Sequence, residues 1–173
     1  QVLGVLNEPS AASIEFGHRQ RQSRSSPETI LVYDLGGGTF DASLVMLDEN
    51  VHHVVASEGI PTIGGDDFDQ ILAELALEVA GIDQRTRENL PAAAWFRLLE
   101  ECRHKKEALN PNSRRITIDL EHAHPGWQPV QIPVAEFYET ARPAVEETIR
   151  AAEDLSPQCD VLYITGGGSE LPL

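Results

Sequence analysis

A chain of 173 residues, 41% of them apolar, has the length for one ordinary core or for one lobe of a larger protein. Its 28 acidic side chains against 13 basic ones leave a formal charge of −15, which argues against nucleic acid and anionic membrane as partners, since both need a basic surface. No apolar run approaches the ~20 residues of a spanning helix, and Cys102 and Cys159 stand far apart without metal-ligand spacing, so a reduced, cytoplasmic protein is the expectation.

In chain order, Asn7-Glu8-Pro9 reads as a capped helix start, with the helix running through Ala11, Ala12 and Ile14 to Gly17. His18 to Thr29 is polar and aperiodic, an exposed loop. Ile30 to Leu35 is a buried strand, then three glycines, then Phe40 to Leu47 as a second strand. Asp48-Glu49-Asn50 reads as a hairpin turn, with Val51 to Ser57 as the returning strand. GIPTIGGDDFD leads into a helix whose Phe68, Ile71, Leu72, Leu75 and Val79 share one face. A helix after Pro91 carries the stripe Trp95, Leu98, Leu99, Cys102 and Leu109 and stops at Asn110-Pro111. Ile116 to Leu120 and Val130 to Ile132 pair as strands across EHAHPGWQP. Val134, Phe137, Ala141, Val145 and Ile149 define a last long helix, with Pro143 inside it at a cost of about 3 kcal/mol or a kink. Val161 to Ile164 is a final strand. The pattern predicts a mixed α/β fold.

The stretch DLGGGTFD, Asp34 to Asp41, carries the chemistry. A glycine-rich turn between strands bares successive amide N–H groups, which form a concavity suited to phosphate oxygens. Side chains there would block the approach, and Thr39 adds a hydroxyl. Asp34 and Asp41 are hard oxygen ligands beside it. Mg²⁺ keeps most of its waters and takes one or two carboxylates together with substrate phosphates, so a metal reconciles acidic groups with a phosphate site.

DLGGGTFD resembles the second phosphate loop of the actin-like ATPase superfamily, and its TFD ending resembles the DnaK-type, heat-shock-seventy chaperones. Three further stretches agree in order: NEPSAA (Asn7 to Ala12) is similar to that family's NEPTAA, GGDDFD (Gly64 to Asp69) to its GGEDFD, and YITGGGSELP (Tyr163 to Pro172) to its adenosine-binding turn. The resemblance implies the second lobe of the ATPase domain: a five-stranded mixed sheet with flanking helices (residues 1–65 and 133–173) and a smaller α/β insertion (66–132). It implies ATP or ADP with Mg²⁺ as cofactors, Gly36, Gly37, Gly38 and Thr39 on the phosphates, and Asp34 and Asp41 on the metal through water. Glu8 corresponds to a glutamate near the attacking water, which with Asp34, Thr39 and Asp41 makes the catalytic set. Gly166, Gly167 and Gly168 correspond to the adenosine pocket, Gly64 and Gly65 join the cofactor-binding positions, and Lys106 corresponds to an adenosine-contacting lysine. An unfolded polypeptide, bound by a domain outside this chain, and J-domain and nucleotide-exchange cochaperones are the partners implied.

Lys106 also stands out unaided, on the apolar stripe of its helix, where a lysine either snorkels outward or meets a specific partner. The chain departs from the family pattern at Arg103, Glu107, Asn110, Gly168 and Glu170, so its phosphate end is intact while its base end is rewritten. The first lobe, with its own phosphate loop, is expected before residue 1, and little ATPase activity is expected of these residues alone. Two rival readings are a nucleotide-sensing regulator and a filament-forming ATPase of the same superfamily; a sugar kinase of that fold is a third. His52-His53 point to opposite faces of a strand, and His122 with His124 lack a third ligand, so neither pair reads as a metal site.

Overall fold

The computed structural model describes residues 11, 28–48, 51–155 and 158–172. The helix start at Asn7-Glu8-Pro9, the polar stretch from His18 to Pro27 and the turn residues Glu49 and Asn50 lie outside the described residues. Two compact units emerge. The first takes in the described residues up to Ile63 together with Glu146–Ser169, the second Gly64–Val145 and the described residues from Glu170.

In the first unit, strands β1 (Glu28–Leu35), β2 (Phe40–Asp48) and β3 (Val51–Ile60) form an antiparallel meander. Strand β6 (Val161–Thr165) adds to β1 in parallel, giving the order β3-β2-β1-β6. Among the described residues this sheet has four strands, where five were expected. Two others, β4 (Arg115–Ile118) and β5 (Val130–Pro133), pair only with each other. One face of the larger sheet is built by Ile30, Val32, Val45 and Leu47, with Val161 and Tyr163 packed against them. These positions share that face because side chains alternate along a strand and cross-strand partners point the same way. β1 begins at Glu28, two residues earlier than its apolar run suggests. The Thr29 N–H and hydroxyl both donate to the Asp160 carboxylate, at 2.7 and 2.6 Å, and this ties the start of β1 to the approach to β6.

In the second unit, helix α1 (Gly65–Val79) starts where the sequence places it. The Asp67 carboxylate reaches back 2.8 Å to the Gly64 N–H, and Asp66 and Asp67 complement the positive end of the helix dipole. A short helix α2 (Gln84–Glu88), which the periodicity did not reveal, is capped by Asp83 on the Thr86 N–H and hydroxyl. Helix α3 (Ala92–Glu107) buries Ala94, Leu98 and Cys102. It ends before Leu109, which the stripe had included and which is only partly buried.

Helix α4 (Val134–Leu155) runs through both units and carries Pro143 in its interior. Val134, Phe137 and Ala141 are buried as expected, but Ile149 is exposed, and Thr148 and Ala152 take the inner positions. Val79 of α1 is likewise exposed. The steps 141, 145, 148, 152 keep the helical period of 3.6, whereas 149 sits off it. The Thr148 hydroxyl meets the Tyr33 hydroxyl at 2.6 Å, which satisfies a polar group on the inner stripe. No helix among the described residues is long and apolar enough to cross a membrane.

Candidate functional site

The loop between β1 and β2 spans residues 36–39 and closes on itself, with the Gly36 N–H donating to the Thr39 carbonyl at 2.9 Å. Gly37, Gly38 and Thr39 are exposed at its tip. Among the described residues, positive-φ glycines are Gly81, Gly126 and Gly166, so backbone strain is not what demands three glycines here. The openness of the tip is the feature they share.

Asp34 and Asp41 are direct cross-strand partners at the mouth of this loop. Their side chains therefore project from the same face of the hairpin, with Cβ atoms roughly 5 Å apart by sheet geometry. Asp34 is buried and Asp41 exposed. The Thr39 hydroxyl donates to Asp41 Oδ2 at 3.1 Å. Two carboxylates directly opposite each other repel unless a cation lies between them, and the donor set of hard oxygens suits Mg²⁺. Among the described residues no group of three or more His, Cys, Asp and Glu stands together, and Mg²⁺ in general keeps several of its waters.

Past β6 the chain makes a second glycine turn, a short 3₁₀ segment at Gly167–Glu170. It lies directly against the end of β1, with Gly168 buried near Leu35 and Gly36. Asp34, Gly36, Gly37, Gly38, Thr39, Asp41 and Gly166 to Gly168 thus gather at one end of the first unit's sheet. Glu8 lies outside the described residues.

Gly64, Gly65 and Lys106 come together in the second unit. Lys106 does not snorkel outward: its Nζ lies 2.7 Å from Asp69 Oδ1 and also donates to the Gly65 carbonyl. Both partners of this ion pair are almost entirely removed from solvent, at 10% and 4% side-chain exposure. Arg103 completes the cluster, with Nε 3.4 Å from Asp69 Oδ2 and its terminal nitrogen on Asp66. Burial pushes the Asp69 carboxyl above the usual carboxylate range, and the two cations pull it down without fully offsetting this. Neither aspartate had been singled out as a partner. The available signal was spacing, since Gly65, Asp69, Leu72 and Ala76 follow one helical face and make Asp69 a charge on a buried stripe.

His52 is half-buried and His53 exposed on β3, His124 stacks on Trp127 at 5.0 Å, and His122 lies 3.8 Å from Glu101. Cys102 is buried, and its thiol is pushed far up by desolvation and the neighbouring Asp69 and Glu101 carboxylates.

A glycine-closed meander, a parallel strand reached through a helix, and a second α/β unit between β3 and β6 are those of an α/β lobe of the actin-like ATPase fold. A family model described as Hsp70 protein matches residues 1–161, and the chain belongs to that family. It is 36% identical over 179 residues to "Chaperone protein HscA" of Escherichia coli O6:H1, and equally so to the proteins of that name from Escherichia coli K12 and Escherichia fergusonii. Each alignment covers 99% of this chain and 27% of the relative, so the chain spans about a quarter of the length of these relatives.

Proposed function

We propose that this chain is the second lobe of the ATPase domain of an Hsp70-type chaperone, in which the nucleotide state governs polypeptide binding elsewhere in a longer protein. The observation that carries the reading is the cross-strand pair Asp34 and Asp41 at the mouth of the glycine loop, with a second glycine turn against it. The amides of Gly36 to Gly38 and the Thr39 hydroxyl bind the β- and γ-phosphates. Asp34 and Asp41 hold the water shell of Mg²⁺ and orient it. Mg²⁺, when bound, offsets charge that develops on the phosphates. Glu8 positions the attacking water. Gly166 to Gly168 bind the adenosine, and Gly64, Gly65 and Lys106 are further nucleotide-binding positions; residues 1–65 and 133–173 form the core subdomain and 66–132 the inserted one. An unfolded polypeptide and J-domain and exchange cochaperones are the partners, and the cytoplasm is the compartment. The lobe by itself has little turnover, because a hydrolytic site needs donors on both sides of the phosphates.

The test is ATP turnover by the full-length protein, with and without an unfolded peptide, beside Asp34→Asn. Turnover that peptide accelerates and the substitution abolishes supports the chaperone reading. A second reading, a nucleotide sensor with slow turnover indifferent to peptide, is favoured by one observation. Lys106 and Arg103 are already engaged by Asp69 and Asp66 and would have to exchange partners to meet a nucleotide.

A further inference from the structure

β6 ends at Thr165, the parallel partner of Asp34. The chain then turns at Gly166 with φ of 85°. A Cβ at Gly166 would stand 2.3 Å from the Leu35 carbonyl oxygen and 2.4 Å from Asp34 Oδ1. One at Gly168 would stand 2.8 Å from that same oxygen and from Leu35 Cγ, and 3.0 Å from the Gly36 carbonyl oxygen. Between them, a Cβ at Gly167 would meet nothing within 4 Å. Two of the three glycines therefore face the loop after β1, and the middle one faces open space.

At both positions the Leu35 carbonyl oxygen is among the nearest atoms, so rotating the Asp34 or Leu35 side chain alone does not relieve the contact. On the loop side, the Gly36 N–H bond to the Thr39 carbonyl holds the turn closed. On the other side, the Ser169 hydroxyl donates to the Thr165 carbonyl and, at 2.7 Å, to the Gly166 carbonyl. The Ser169 N–H donates to the Gly166 carbonyl as well, at 3.1 Å. A push at residue 168 accordingly moves the 3₁₀ turn as one piece.

We propose that Gly166 and Gly168 are positioning residues that seat the turn after β6 directly on the glycine loop, so that both ends of a bound nucleoside diphosphate are held in one register. This rests on the reading above, in which the loop takes the phosphates and the turn takes the adenosine. The family pattern that this turn resembles has a serine where this chain has Gly168. A serine Cβ there forces the turn away from the Leu35 carbonyl, whereas glycine lets it close.

The experiment is calorimetric titration of the full-length protein and its Gly168→Ala and Gly168→Ser variants with MgADP and, separately, with magnesium pyrophosphate. Pyrophosphate touches the loop alone, while ADP spans loop and turn. Both variants should weaken MgADP by at least about tenfold while leaving pyrophosphate within about twofold, since misplacing one end of a bound molecule by a fraction of an ångström forfeits contacts only there. MgADP affinity equal to that of the unsubstituted protein in both variants overturns the inference. So does an equal loss of both ligands, which means the loop itself has been disrupted; thermal unfolding of each variant separates that case from global misfolding. Absence of MgADP binding by the unsubstituted protein overturns the functional reading and the inference with it.

Discussion

Removing the carboxylate of Asp69 isolates a charge that the second unit has buried. The Lys106 ammonium has Asp69 Oδ1 at 2.7 Å and the Gly65 carbonyl as its partners, and its side chain is only 10% exposed. In Asp69→Ala one neutral carbonyl remains. Breaking a buried pair in this way costs about 3–5 kcal/mol, a large part of the ~5–15 kcal/mol that holds a domain together. Arg103 offers little compensation, because it is 42% exposed and keeps Asp66 as a partner. By the same measure Arg103→Ala should cost less than about 1 kcal/mol, as exposed pairs do. The raised Asp69 carboxyl adds a second expectation. If burial outweighs both cations, the pair as a whole gains the fold little, and Asp69→Leu with Lys106→Met should be at least as stable as the parent. Urea unfolding at neutral pH of Asp69→Leu, Lys106→Met and the double gives the cycle, with Asp69→Ala measured beside them. A single Asp69→Ala variant within about 1 kcal/mol of the parent, or a double variant as damaged as the single, would refute the reasoning.

Acid should act on the first unit through Asp160. Its carboxyl is held below the ordinary value of 3.8 by the Thr29 hydroxyl and N–H, so its contribution is present above pH 3.8 and is lost as pH falls through the lowered value. Asp160→Ala should therefore lower the unfolding midpoint at pH 7, with an effect that shrinks as pH falls below 3.8; an effect that does not change with pH would contradict the assignment. Thr148→Val strands the Tyr33 hydroxyl, whose titration burial already displaces upward, and should cost about 1–3 kcal/mol in denaturant unfolding. Pro143→Ala restores an N–H to the interior of α4, and the helix should gain up to about 3 kcal/mol, seen as a higher melting temperature.

Much of the fold was legible because its periods are clean. The run from Ile30 to Leu35 and the faces of Phe68, Leu72 and Leu75 or of Leu98 and Cys102 each follow one period, so element type and inner face could be read directly. Errors fell where period and burial part company. Ile149 is apolar yet off the inner stripe of α4, and Thr148 is polar yet on it because Tyr33 supplies a partner. Val79 lies at the last turn of α1, where less of the helix is covered. The five residues of α2 are too few to show a period at all, and depend on the Asp83 cap.

Within the candidate site the division is similar. The order and chemistry of Asp34, the three glycines, Thr39 and Asp41 are properties of eight consecutive residues, and a hairpin of that length brings its two ends opposite each other without help from the rest of the chain. Sequence alone therefore determined the glycine loop, its carboxylates and the family to which such a string belongs. What only the tertiary structure decided are pairings between residues far apart: Lys106 with Asp69, Thr29 with Asp160, and Gly168 with the Leu35 carbonyl. The physical reason is that a lysine's partner, or the space a Cβ would need, depends on which distant backbone folds against it, and local spacing carries no record of that approach.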